Sequence, residues 1–222
     1  KSTKSKFMDS QEEVDQFLSE RLKEQKPPKA VFKSFDFNGM EVFTIGDENA
    51  KNAILYMHGG AYVNELNYQH LLYCFMLSRK LDVKVFLPVY PLAPLHKVNE
   101  TFELLTDFYK ALVFHNNLIM MGDSAGGGLV LSFCQYLNTI DLPQPSNIIT
   151  FSPWVDVSMG NPPYDNERDP ILGEIGLREF GKSWAGDLDT KDYRVSPLYG
   201  NNRGLAKTLI FAGTNEIFHK DI

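Results

Sequence analysis

Gly122-Asp123-Ser124-Ala125-Gly126 surrounds one serine with small residues. The segment follows an apolar run, Leu118 to Met121, and precedes another, Leu129 to Leu137. A strand that turns abruptly into a helix at such a place lifts the serine hydroxyl above a sheet and aims the helix N-terminus at it. Unpaired N–H groups in that first turn favour developing negative charge. The chemistry this suits is attack by the Ser124 hydroxyl on a carbonyl carbon. A phosphate-binding loop fits less well. No lysine stands at the P-loop position, and the dinucleotide fingerprint lacks its second glycine.

A second glycine-rich bend, His58-Gly59-Gly60-Ala61, closes the apolar run Ala53 to Met57. An attacked carbonyl becomes a tetrahedral oxyanion, which needs two or three N–H donors about 3 Å away, and losing one costs about 3 kcal/mol. The amides of Gly59, Gly60 and Ala125 are the expected donors. His58 directly precedes the glycines and reads as a brace for this loop rather than as a base. Asp123, beside the serine, is expected to support the same loop.

Taken in order, His58-Gly59-Gly60-Ala61, Tyr90-Pro91-Leu92-Ala93-Pro94 and Gly122-Asp123-Ser124-Ala125-Gly126-Gly127 resemble the hormone-sensitive-lipase-like branch of the α/β-hydrolases. The resemblance runs from about Val31 to Ile222. It implies a carboxylesterase acting on modest acyl esters, with amidases and deacetylases among its relatives, and N-terminal helices that form a cap. It also implies a triad in the order serine, acid, histidine. Gly213-Thr214-Asn215-Glu216 resembles the acid segment, with Glu216 where the family usually has Asp. A glutamate serves as well, since the carboxylate need only orient an imidazole and stabilise its cation. Asp221 is the alternative acid, and Asp156 reads as a loop-fixing residue.

None of the five histidines suits the base. His58 belongs to the oxyanion bend, His70 to the helix after it, and His96 and His115 precede the serine. His219 follows Glu216 too closely. The base histidine is therefore expected beyond Ile222. The short link from Ala111 to Asn117 likewise suggests residues absent there.

These segments need a scaffold that brings their bends to one edge. Val31 to Phe37 and Met40 to Ile45 alternate as two antiparallel strands. Ala53 to Met57, Val83 to Val89, Leu118 to Met121, Ile148 to Ser152 and Leu205 to Phe211 read as core strands. Between them, Leu66 to Leu81, Phe102 to Leu112 and Leu129 to Leu137 have helical character, the first with an apolar face of Tyr68, Leu71, Leu72, Phe75 and Met76. Ile175 to Ala185 is expected as a helix over the site. The alternation implies an α/β-hydrolase fold: a mostly parallel sheet flanked by helices, with ligands beyond the carboxyl ends of its strands. Ser10-Gln11-Glu12-Glu13 has the spacing of a capping box, so residues 1–30 are expected as a small helical cap and 31–222 as the catalytic domain.

The sequence has 222 residues, a formal net charge of -6 and 43% hydrophobic residues, ordinary for one globular domain. Scattered basic residues argue against nucleic acid. No stretch reads as a membrane span. Cys74 and Cys134 read as buried thiols, and a cytoplasmic setting is expected. No metal or cofactor spacing stands out. Homo-oligomerisation stays open. Phe7, Phe17, Tyr62, Trp154, Trp184 and Tyr193 are candidates for an apolar pocket wall. The expected function is a serine carboxylesterase for small to medium acyl esters, working through an acyl-enzyme. An amidase, formamidase or deacetylase on the same machinery is the alternative, and a non-catalytic ligand-binding homologue a weaker one.

Overall fold

The computed structural model describes residues 10–21, 32–113, 115, 117–162, 164 and 169–222, without the side chains of 18, 19 and 21. The strands are β1 (Lys33–Phe37), β2 (Met40–Ile45), β3 (Asn52–Met57), β4 (Lys84–Pro88), β5 (Asn117–Asp123), β6 (Asn147–Phe151) and β7 (Lys207–Phe211). They form one sheet in the order β1-β2-β4-β3-β5-β6-β7. The β1–β2 and β2–β4 pairs are antiparallel and the remaining pairs parallel. The expected α/β-hydrolase architecture is what the chain adopts.

The helices are α1 (Gln11–Arg21), α2 (Tyr68–Leu81), α3 (Val98–Leu112), α4 (Ser124–Thr139) and α5 (Glu174–Ala185). Side chains alternate across the sheet, as the pleat requires. Ala53, Leu55 and Met57 of β3 face the core shared with α3, α4 and α5, while Ile54 and Tyr56 face the core beneath α2. Central strands buried on both faces explain why β3, β4 and β5 read as continuous apolar runs. Helix α4 is buried nearly all round, which fits its short apolar and glycine-rich sequence.

One expectation about these elements is corrected. Helix α2 buries Leu71, Cys74 and Ser78, and turns Tyr68, Leu72, Phe75 and Met76 outward. Small Cys74 and Ser78 let it lie close to the sheet, and Ser78 Oγ donates to the Val83 carbonyl. Of the apolar face expected from spacing, Leu71 is buried and the other four residues are exposed. Strand β7 lies last in the sheet order of the described residues.

The capping box at α1 forms as expected: Glu13 N donates to Ser10 Oγ and Ser10 N to Glu13 Oε2. Helix α1 lies on α5, with Phe17 and Phe180 ring centroids 5.7 Å apart. Pro27, Pro28 and Phe7 lie outside the described residues, and so do two positions of the short link before β5.

Candidate active site

Strand β5 passes into α4 at Ser124 with no intervening loop. Ser124 takes φ 51°, the left-handed region. For a non-glycine residue this costs about 1–3 kcal/mol and persists only where the surroundings enforce it. The enforcement is visible. A Cβ on Gly126 would run into the Met57 and His58 carbonyl oxygens, so only glycine lets α4 sit against the end of β3. The same contact brings the two glycine-rich bends together.

The bend after β3 is strained as well. Gly60, Ala61 and Tyr62 have φ 129°, 53° and 62°. The Val63 and Asn64 amides both donate to the Gly60 carbonyl, and Ala93 N donates to the Tyr62 carbonyl at 2.9 Å. The Gly60 and Ala61 amides have no hydrogen-bond partner among the described residues. Ala125 lies in the first turn of α4, where N–H groups have no intrahelical acceptor.

Gly59 corrects one expectation. Its amide donates to Asp123 Oδ1 at 3.0 Å, so that N–H is committed inside the protein and is not a free oxyanion donor. Asp123 instead clamps the bend to the elbow. Tyr56 Oη donates to the same Oδ1 at 2.9 Å, and His70 Nε2 lies 3.6 Å from Oδ2. Burial alone would raise the Asp123 pKa, but His70, Tyr56 and the Gly59 amide outweigh it and hold it below the ordinary value. Burial, reinforced by the Asp123 charge, pushes the Tyr56 hydroxyl far above its usual range, so it stays a donor.

His58 is fully buried, as a brace should be. Its Nδ1 donates to the Gly59 carbonyl at 2.7 Å, which fixes the tautomer. Burial lowers its pKa to about 4. Its ring stacks on Tyr90 with centroids 4.4 Å apart, and Tyr90 Oη donates to the His58 carbonyl at 2.6 Å. The Tyr90-to-Pro94 stretch therefore supports the bend from behind.

Glu216 hangs from the turn after β7. Its Oε1 accepts from Ser152 Oγ at 2.6 Å and from Gly213 N at 2.8 Å. Its Oε2 is buried without a hydrogen-bond partner among the described residues. Ser124 and Glu216 line one cavity of about 490 Å³, with Ser152, Ile171, Leu172 and Phe218 among its walls. Asp221 is elsewhere. It accepts from Tyr164 Oη and Asn161 Nδ2 and lines a different cavity, with Leu131 and Val155. Asp156 fixes its own loop, accepting from Ser158, Gly160 and Tyr199.

None of the five histidines lines the cavity shared by Ser124 and Glu216. His58 and His70 lie behind the elbow, and His96 pairs with Glu100. His115 packs edge-on against Phe86, and His219 is exposed. The pocket-wall expectation also fails for its described members. Tyr62, Trp154 and Trp184 form a buried stack, Tyr62 on Trp184 at 4.4 Å and 2°. Phe17 packs on α5, and Tyr193 does not line the cavity.

Sequence reading missed Asp169 and Ser152. Asp169 Oδ1 accepts from Ile171 N and Leu172 N, and Oδ2 from Ile217 N. It thus ties the cavity lip to the acid turn. The signal was an Asp two residues before an apolar pair, the spacing of an Asx turn. Ser152 closes β6 at φ 46° and carries only the general mark of a strand's carboxyl end.

The family model for the alpha/beta hydrolase fold matches residues 54–222. The chain belongs to the α/β-hydrolase family. Among similar family members, an esterase of Acinetobacter venetianus is 31% identical over 78% of this chain and 59% of its own length. A triacylglycerol lipase of Mycobacterium tuberculosis is 29% identical over 80% of this chain and 38% of its own. The chain thus spans about half the length of these relatives. A Staphylococcus aureus protein assigned as an esterase superposes with a TM-score of 0.87 at 29% identity, over 96% of this chain and 77% of that one. A hormone-sensitive lipase from a metagenome library gives 0.76 at 25% identity, over 94% and 74%. Among the described residues, no helix of this α/β-hydrolase is long and apolar enough to cross a membrane.

Proposed function

We propose that this α/β-hydrolase chain carries the nucleophile, acid and oxyanion donors of a serine carboxylesterase. The observation that carries the reading is one cavity holding Ser124, at a strained elbow, together with Glu216, whose Oε2 has no hydrogen-bond partner among the described residues. In this reading Ser124 Oγ attacks the ester carbonyl carbon and its proton passes to a histidine. Glu216 Oε2 accepts that histidine's Nδ1–H and stabilises its cation. The oxyanion takes amides from Gly60, Ala61 and Ala125, with Gly59 replaced by Ala61 because its own amide serves Asp123. Collapse of the tetrahedral intermediate expels the alcohol and leaves Ser124 acylated. Water, activated by the same histidine, releases the acid.

The base is assigned to a histidine outside residues 1–222, because none of the five present lines the cavity. The cavity walls are aliphatic and aromatic, with Ile171, Leu172 and Phe218, which supports small to medium acyl esters. Helix α1, packed on α5, belongs to the N-terminal cap in this reading. The printed activities of the relatives, esterase and triacylglycerol lipase, agree with ester chemistry.

The test is turnover by the intact protein of p-nitrophenyl esters of increasing acyl length, beside the matching anilides. Esters should turn over faster than anilides and show an optimum at short to medium chains. Faster anilide cleavage would move the assignment to an amidase, and turnover of neither would end it.

A further inference from the structure

Behind the elbow lies a small polar cluster that the serine, acid and oxyanion donors do not use: Asn67, His70, Tyr56 and Asp123 around a hollow of about 340 Å³. His70 is the third helical residue of α2. Its amide donates to Asn67 Oδ1, and its own Nδ1 accepts from the Asn67 amide at 3.2 Å. An imidazole nitrogen that accepts carries no proton, so the neutral ring must hold its hydrogen on Nε2. That nitrogen faces Asp123 Oδ2 at 3.6 Å, long for a hydrogen bond but within strong electrostatic reach in a mostly buried setting. The other oxygen of the same carboxylate takes the Gly59 amide. The chain of contacts thus runs from the N-terminus of α2, through Asp123, to the bend that presents Gly60 and Ala61.

We propose that His70 is a positioning residue for the oxyanion bend: its Nε2–H holds the Asp123 carboxylate in the orientation that grips Gly59. This rests on the esterase reading for its kinetic consequence, but not for its geometry. A bend held this way is in place before the reaction, so its loss weakens only the transition state, where the oxyanion exists. Uniform substrate binding is untouched.

The experiment compares His70→Ala, His70→Gln and Asn67→Ala in the intact protein, with kcat and KM per active site titrated by an organophosphonate. Asn67→Ala removes the side-chain cap of α2 but leaves the backbone amide that sets the His70 tautomer. His70→Ala should lower kcat about tenfold at unchanged KM, since the displaced bend serves a reacting centre. His70→Gln, whose amide nitrogen reaches the Nε2 position, should restore most of it. Asn67→Ala should lower the melting temperature and leave kcat alone. An Asn67→Ala loss equal to that of His70→Ala would overturn the proposal, and so would full kcat in His70→Ala.

A second readout does not depend on turnover. The Gly59 amide proton, bonded to a carboxylate, should resonate downfield and move upfield in His70→Ala but not in Asn67→Ala. An unmoved Gly59 signal overturns the proposal. Absence of labelling in the unaltered protein would instead sink the esterase reading and leave the Gly59 measurement standing as the test of His70.

Discussion

Around Ser124 the tightest approach is backbone on backbone, whereas Glu216 hangs from the turn after β7 by hydrogen bonds to its own carboxylate. The elbow is sealed by Gly126 against Met57 and His58, and by Asp123 against Gly59. The Gly126 contact, backbone on backbone, has almost no freedom to relax, and it lies two residues from φ 51° at the serine. The acid side is built from side chains. Ser152 and Gly213 hold Glu216 Oε1, and Asp169 ties in Ile217. In the proposed reading, the nucleophile side combines one backbone-on-backbone contact with the Asp123 clamp, and the acid side rests on replaceable hydrogen bonds alone. Substitutions on the two sides should therefore separate stability from activity.

The largest effect is expected on the acid side. Glu216→Gln keeps the shape and the bonds to Oε1 but presents the histidine with the wrong partner. It should lower kcat by about 10⁴-fold, as for the aspartate of a serine triad, with a urea midpoint close to that of the unaltered protein. A loss below tenfold would remove Glu216 from the triad. On the elbow side, Gly126→Val drives a side chain into two backbone carbonyls. It should destabilise by about 3 kcal/mol or more, seen as a large fall in the urea midpoint together with lost activity. An unchanged midpoint would show that the elbow is not locked as described.

His58 gives a smaller effect tied to pH. Its folded pKa is about 4 against an ordinary 6.5, because burial disfavours the charged ring. Between those values the unfolded chain takes up a proton that the folded chain refuses. Stability therefore falls as pH is lowered from 6.5 toward 4, by about 3 kcal/mol in all. Urea midpoints measured at pH 7 and pH 4.5 should show the fall, and His58→Asn should flatten it. The smallest effect is that of Ser152→Ala. It removes one of two bonds to Glu216 Oε1 and should lower kcat about fivefold, near 1 kcal/mol. Loss comparable to Glu216→Gln would mean that Ser152 touches the reacting groups itself.

How much of this was legible follows from what decides each feature. The two bends and their strands were readable because tight backbone approach demands glycine, and glycine is visible in a sequence. His58 as a brace and Asp123 as loop support follow from adjacency to those bends. The donor assignment at Gly59 was not readable, because it depends on which way one carboxylate turns. The pocket wall was misread for a related reason. Tyr62 and Trp184 are large and apolar, but so is anything in a core, and only packing tells that they stack on each other while Ile171 and Leu172 form the lip. Asp169 acts through three backbone amides distant in sequence, and composition carries no trace of that. The buried face of helix α2 was misread outside Leu71 because the small side chains that allow close packing, Cys74 and Ser78, were outweighed by the larger ones beside them.

The central claim is that Ser124 alone is the activated nucleophile. Intact protein treated with a fluorophosphonate should gain the mass of one adduct, on the peptide containing Gly122 to Gly128, and lose ester turnover in step with it. Ser124→Ala should gain none. An adduct on any other residue, or labelling that survives Ser124→Ala, would contradict the account.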